Sequence, residues 1–158
     1  MTDVSVVFEQ IMDKFDRAVM ITESMHSPSL SFGTGVLMYR REIHTIQAIG
    51  RNPGINVTTL AEYMGVTKGA VSQIIKKLSK KGLVRKTHTI GNAKEVILEL
   101  TNLGWIGFHN HEKFHVDTLA IARECFGNQL QNKLEMINAV MTDINLILDE
   151  YEKRMKNV

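Results

Sequence analysis

Apolar positions along the chain recur at a helical and then a strand period, and the changes of pattern divide it into elements. Val4, Phe8, Ile11, Phe15 and Ala18 fall at spacings of four and three, which predicts a helix over residues 4–22. Residues 24–36 (SMHSPSLSFGTGV) are rich in Ser and Gly and break the pattern, so they predict a loop or broken helix. A short helix follows over 39–50. Asn52-Pro53-Gly54 reads as a turn. Two further helices are expected over 58–64 and 68–81, with Gly65 between them.

The pattern then shifts toward strands over 83–89 and 94–100, with Gly91-Asn92 as the hairpin tip. Thr101 can cap a helix over 101–124, and Gly127 separates it from the last one. In that last helix Leu130, Leu134, Ile137, Met141, Ile144, Leu148, Tyr151 and Met155 alternate spacings of four and three throughout. Such a seam calls for a partner helix along its length. The first and last helices can pack on each other within one chain. Alternatively, two chains can share a helical layer, which long amphipathic helices at both ends of a short chain favour.

The segment LAEYMGVTKGAVSQIIKKL (60–78) has the spacing of a helix-turn-helix. Ala61 is small where two helices must cross closely, and Gly65 can take positive φ in the tight turn. Thr67 is suited to cap the second helix. On that helix Val71, Ile74, Ile75 and Leu78 form a stripe for burial. Gly69, Ser72, Gln73, Lys76 and Lys80 lie opposite. Gln73 can pair with adenine in two hydrogen bonds, Ser72 can reach bases or phosphate, and the lysines suit phosphate.

Charge sharpens this reading. The chain has 158 residues and a net charge of +2, from 19 Lys+Arg and 17 Asp+Glu. The near-neutral total hides a block: residues 67–94 hold Lys68, Lys76, Lys77, Lys80, Lys81, Arg85, Lys86 and Lys94 and no acidic residue. That is +8 set against −6 over the remainder. One sign of charge concentrated on a helix and the following hairpin is an electrostatic footprint for nucleic acid. The hairpin adds His88 and Asn92 to Arg85, Lys86 and Lys94, and its tip is expected to reach a minor groove beside the helix. A surface helix with a solvated charged face is the bland alternative; the turn spacing and the charge block argue against it.

Composition excludes other classes. A 44% hydrophobic share and a 23% charged share are ordinary for a folded protein. No run of residues is long and apolar enough to span a bilayer, and the acidic N-terminus is unlike a signal peptide. One cysteine, Cys125, rules out an internal disulfide framework and fits a reducing, cytoplasmic location. As a redox sensor Cys125 is weakly placed, with only Arg123 nearby to activate it.

The run from Tyr39 to Lys86, YRREIHTIQAIGRNPGINVTTLAEYMGVTKGAVSQIIKKLSKKGLVRK, with LELTNLGW after the wing, resembles the MarR family of bacterial regulators. The motif resemblance spans about residues 36–108. It implies a mainly α fold with a small β-wing, a winged helix-turn-helix flanked by long helices that form a dimerisation layer. The expected division is residues 1–36, an N-terminal dimerisation helix and loop; 37–100, the winged helix-turn-helix; and 101–158, C-terminal dimerisation helices. It also implies a homodimeric transcriptional regulator, whether repressor or activator, binding a palindromic double-stranded DNA operator through one recognition helix per half-site. Many members carry Asp-x-Arg at the wing tip; here the tip reads Gly91-Asn92-Ala93-Lys94. Lys94 stands in for that arginine and is less suited to a narrow groove.

Six histidines raise a metal site. His111 and His115 lie four apart on one expected helix and share a face. His44 precedes the helix-turn-helix with Glu42 two residues before it, and Glu23 and His26 lie near the N-terminal loop. The arrangement resembles the zinc-sensing branch of the family. That resemblance implies Zn²⁺ held by His44, His111 and His115, with a fourth ligand from Glu23 or His26. Exposed histidine pairs are usually only solvated, and Glu42 and His44, two apart, point different ways. A second effector reading is a small aromatic or acidic ligand in a pocket between dimer layer and winged helix, lined by Met38, Trp105, Phe108 and Phe114, although such residues more often fill core. A metal-dependent enzyme using His44, Glu42, His111, Glu112 and His115 is remote: there is no HExxH, phosphate loop or nucleophile motif, so no enzyme activity is expected.

Overall fold

A computed structural model describes residues 3–25, 30–89 and 92–156. Six helices and a two-stranded antiparallel sheet follow in the order α1 (Val4–Met25), α2 (Arg40–Arg51), α3 (Val57–Met64), α4 (Lys68–Lys80), β1 (Val84–Thr89), β2 (Asn92–Leu100), α5 (Asn102–Phe126) and α6 (Leu130–Lys156), with one 3-10 turn at Gly127–Gln129. The mainly α fold with a β-wing is the one expected. The first helix runs three residues beyond its expected end at residue 22, because Glu23 and Ser24 do not break a helix. The second strand starts two residues earlier, since Asn92 pairs with Thr89 across an irregularity in the register.

The chain divides into two compact units within α5, residues 1–113 and 114–158. The first holds the core. Ile43 and Ile46 of α2, Leu60 of α3, Val71 and Ile75 of α4, and Leu98 of β2 are all buried. Fully burying such a side chain contributes about 1.5–3 kcal/mol. The wing is tied to α3's start through Leu98, whose N–H donates to the Ile55 carbonyl at 2.8 Å.

Two threonines set the boundaries that matter. Thr67 Oγ1 accepts from the Ala70 N–H at 3.2 Å and starts α4. Thr101 Oγ1 accepts from the Gly104 N–H at 3.1 Å and donates to the Gly82 carbonyl at 2.6 Å, joining α5's start to the turn before β1. Gly104 has no room for a side chain: a Cβ would lie 2.1 Å from the Leu83 carbonyl oxygen.

The second unit contains the later part of α5, the 3-10 turn and α6. Leu130 is buried, and the Lys133 ammonium sits 5.4 Å from the Phe126 ring centre.

Candidate nucleic-acid interface

The helix-turn-helix follows its local chemistry. Asn56 Oδ1 accepts from the Thr59 N–H at 3.0 Å and caps α3. Gly65 ends that helix at φ 64°, the left-handed conformation that glycine adopts without a Cβ penalty. Ala61 is buried at the crossing. Val71, Ile75 and Leu78 turn α4 inward, while Ile74 is half-buried.

The opposite face is open. Thr67, Lys68, Gly69, Ser72, Gln73, Lys76, Lys77 and Lys80 are all exposed. Ser72, Gln73 and Lys76 share a groove with Arg85 and Lys86 of β1, so helix and wing meet at one surface. His88 is also exposed on β1. Asn92 and Lys94 lie on β2, but their side chains fall outside the described residues, as does the hairpin tip at residues 90–91.

Among the described residues, Lys81 and Arg85 are engaged elsewhere. Lys81 Nζ contacts Glu42 Oε2 at 2.7 Å and donates to the Leu37 carbonyl at 2.8 Å. The Arg85 guanidinium pairs with Glu99 Oε2 across the hairpin, at 2.8 and 2.9 Å. Both acidic partners lie outside the 67–94 block, which is why counting charge along the sequence missed them. Lys68, Lys76, Lys77, Lys80 and Lys86 remain exposed with no ion pair among the described residues.

The candidate metal residues are brought together only in part. The rings of His44 and His111 approach to 5.3 Å between centroids. His111 is buried and also meets the Phe32 ring edge-on at 5.3 Å. Glu42 is corrected as a ligand: its Oε2 is taken by Lys81 and by the Tyr39 N–H at 2.8 Å, so this carboxylate caps α2 and neutralises a lysine. Glu112 likewise accepts from Gln47 at 2.7 Å and from Arg51 at 3.0 Å. His115 belongs to the second compact unit. His26 and the Glu23 side chain lie outside the described residues. Among the described residues no three His, Cys, Asp or Glu side chains form a group able to hold a metal. The donors among the described residues do not by themselves complete a zinc site.

Of the residues named for an aromatic pocket, Trp105 and Phe108 are in contact. Met38 is fully buried core. Trp105 stacks on His109 and meets Phe108 edge-on at 5.2 Å. Phe114 belongs to the second unit.

The geometry defines a winged helix-turn-helix with an open, lysine-bearing second helix. Residues 38–95 match the profile described as MarR family. The HTH-type transcriptional regulator YhjH of Bacillus subtilis is 33% identical over 95 residues, covering 60% of this chain and 54% of that protein. The HTH-type regulator PchR of the same organism is 37% identical over 73 residues, covering 46% of this chain and 43% of its own. The chain thus spans about half the length of these relatives. Among solved structures, Streptococcus pneumoniae FabT in complex with DNA superposes with a TM-score of 0.71 at 20% identity, covering 94% of this chain and 99% of that one. The zinc-responsive MarR family member ZitR of Lactococcus lactis superposes at 0.64 with 19% identity, covering 87% and 97%. These similarities show the fold. The matching relatives are transcription regulators, not enzymes.

Proposed function

We propose that the protein is a DNA-binding transcriptional regulator, a repressor that grips a palindromic operator as a homodimer and whose affinity is set by an effector. The carrying observation is the exposed face of α4, where Ser72, Gln73 and Lys76 share one groove with Arg85 and Lys86 of the wing. A capped, glycine-hinged helix presents an amide and lysines outward, which suits base edges flanked by phosphates. The solved FabT–DNA complex of the same fold supports the reading. No helix among the described residues is long and apolar enough to cross a membrane, and action on DNA places the protein in the cytoplasm.

The dimer rests on unburied apolar faces. Phe8, Ile11 and Phe15 of α1 are exposed, as are Leu134, Ile137, Met141, Leu148, Tyr151 and Met155 of α6. Seams of this kind are covered in stable proteins by a partner surface, and a second copy supplies one with two-fold symmetry matching a palindrome.

A divalent metal, zinc first, is the favoured effector on one observation, the approach of His44 to His111. ZitR is described as zinc-responsive and shares the fold. Metal analysis of untagged protein tests this: retained zinc that disappears in His44→Ala and His111→Ala supports it, and metal content unchanged by both substitutions rejects it. The regulator itself is tested by fluorescence anisotropy against duplex DNA from upstream of its own gene. Binding that falls steeply with salt is expected; no binding at low salt rejects the function.

A further inference from the structure

A second cationic cleft lies on the other side of α4. Its walls come from two elements: Tyr39, Arg40, Arg41 and His44 from α2 and its cap, Gln73 and Lys77 from α4. The cleft has a volume of about 690 Å³, too large for one small anion to fill. Ala70 and Ile74 also line it, and neither brings charge. Arg40, Arg41 and Lys77 are exposed and have no ion pair among the described residues. The one carboxylate lining the cleft, Glu42, is buried and held by Lys81 at 2.7 Å. The rim is therefore positive with its local counter-charge already spent on Lys81.

Gln73 and Lys77 bind this cleft to the proposed DNA surface. Gln73 lines both this cleft and the groove on the wing side. Duplex DNA seated against α4 would carry a sugar–phosphate strand on each side of the major groove, and one of those strands meets this cleft. We infer that Arg40 and Arg41 of α2, with Lys77 of α4, hold backbone phosphates of the operator, so that the DNA surface extends beyond the helix-turn-helix and wing to a third element. The inference rests on the proposed function. The arginines stand far from the lysine block in sequence, and charge counting assigns them to the acidic remainder. Guanidinium forks suit phosphate oxygens and carry no base code, so the cleft should strengthen binding to all sequences alike.

The experiment compares the full-length protein with Arg40→Ala/Arg41→Ala, using two duplexes: upstream DNA of its own gene and a scrambled duplex of equal length. Affinity is read by anisotropy across a salt series. Each lost phosphate contact should flatten the log–log salt dependence by about 0.9, so the double variant should lose roughly 1–2 from the slope and about tenfold or more in affinity for both duplexes. Arg40→Lys/Arg41→Lys should restore most of the slope, and matched circular dichroism melts exclude misfolding. Unchanged slope and affinity, in a protein whose Lys76→Ala variant does lose binding, overturns the inference and leaves the function standing. Wild type that binds neither duplex overturns both. Inorganic phosphate titrated by calorimetry is the last arm. Tight phosphate binding lost in the double variant, with an unchanged DNA slope, assigns the cleft to a free anion and overturns the DNA reading.

Discussion

Lys81 Nζ lies 2.7 Å from Glu42 Oε2, so the residue that ends α4 is fastened to the first turn of α2. The same carboxylate oxygen accepts from the Tyr39 N–H, and the same ammonium donates to the Leu37 carbonyl. Glu42 is 5% exposed at its side chain and Lys81 is 27% exposed. Removing either partner strands the other, and the partial exposure of Lys81 holds the cost below that of a fully buried pair. We expect Glu42→Ala and Lys81→Ala each to cost about 1–3 kcal/mol in urea unfolding, with a coupling of about 1 kcal/mol or more in the double-mutant cycle. Coupling indistinguishable from zero would show that the pair is only a surface contact.

Two glycines should respond in opposite directions. In Gly104→Ala the new Cβ meets the Leu83 carbonyl oxygen at 2.1 Å, and that backbone is itself tied to Thr101. A loss of about 3 kcal/mol is expected, at the high end for single substitutions. At Gly69 the nearest atom to a Cβ is Thr67 Oγ1 at 3.9 Å. Gly69→Ala should therefore be neutral or stabilising by up to about 1 kcal/mol. Thermal melts of the two variants decide the matter, and equal effects would contradict the packing described.

Thr67 holds the start of α4 through a single side-chain bond to the Ala70 N–H. Thr67→Ala should lower stability by about 1 kcal/mol, and Thr67→Ser should largely preserve it. If the two variants melt alike, the cap contributes nothing.

A charge placed on α6's apolar face should prevent self-association. Ile137 and Met141 are 56% and 39% exposed in the single chain. Ile137→Asp/Met141→Asp is expected to sediment as a monomer where wild type sediments as a dimer. A dimer that survives both substitutions would place the interface elsewhere.

The elements of the fold were legible where the signal was local. Thr67, Gly65 and the stripe of Val71, Ile75 and Leu78 act within one or two helical turns, and spacing alone exposes them. Glu42 was read as a metal candidate because its partner, Lys81, lies 39 residues away. A carboxylate's role is fixed by what folds against it, and sequence spacing carries no record of that. Arg85 shows the same limit, since its counter-charge Glu99 meets it only after the hairpin closes. The approach of His44 to His111 joins α2 to α5, and it was foreseen through family resemblance, not through periodicity. Arg40 and Arg41 come beside α4 only through tertiary packing, which sequence spacing does not carry.

If the outward face of α4 reads DNA, Gln73 is the residue that should show it. Gln73 is exposed on that face and lines the grooves on both sides of it. The measurement is the ratio of affinities for upstream duplex and scrambled duplex, at fixed salt, in wild type, Gln73→Ala and Lys76→Ala. Gln73→Ala should shrink the ratio by the equivalent of about 1–3 kcal/mol, and Lys76→Ala should weaken both duplexes while leaving the ratio near its wild-type value. Wild-type affinity and an unchanged ratio in both variants would contradict the assignment of α4 as the recognition helix.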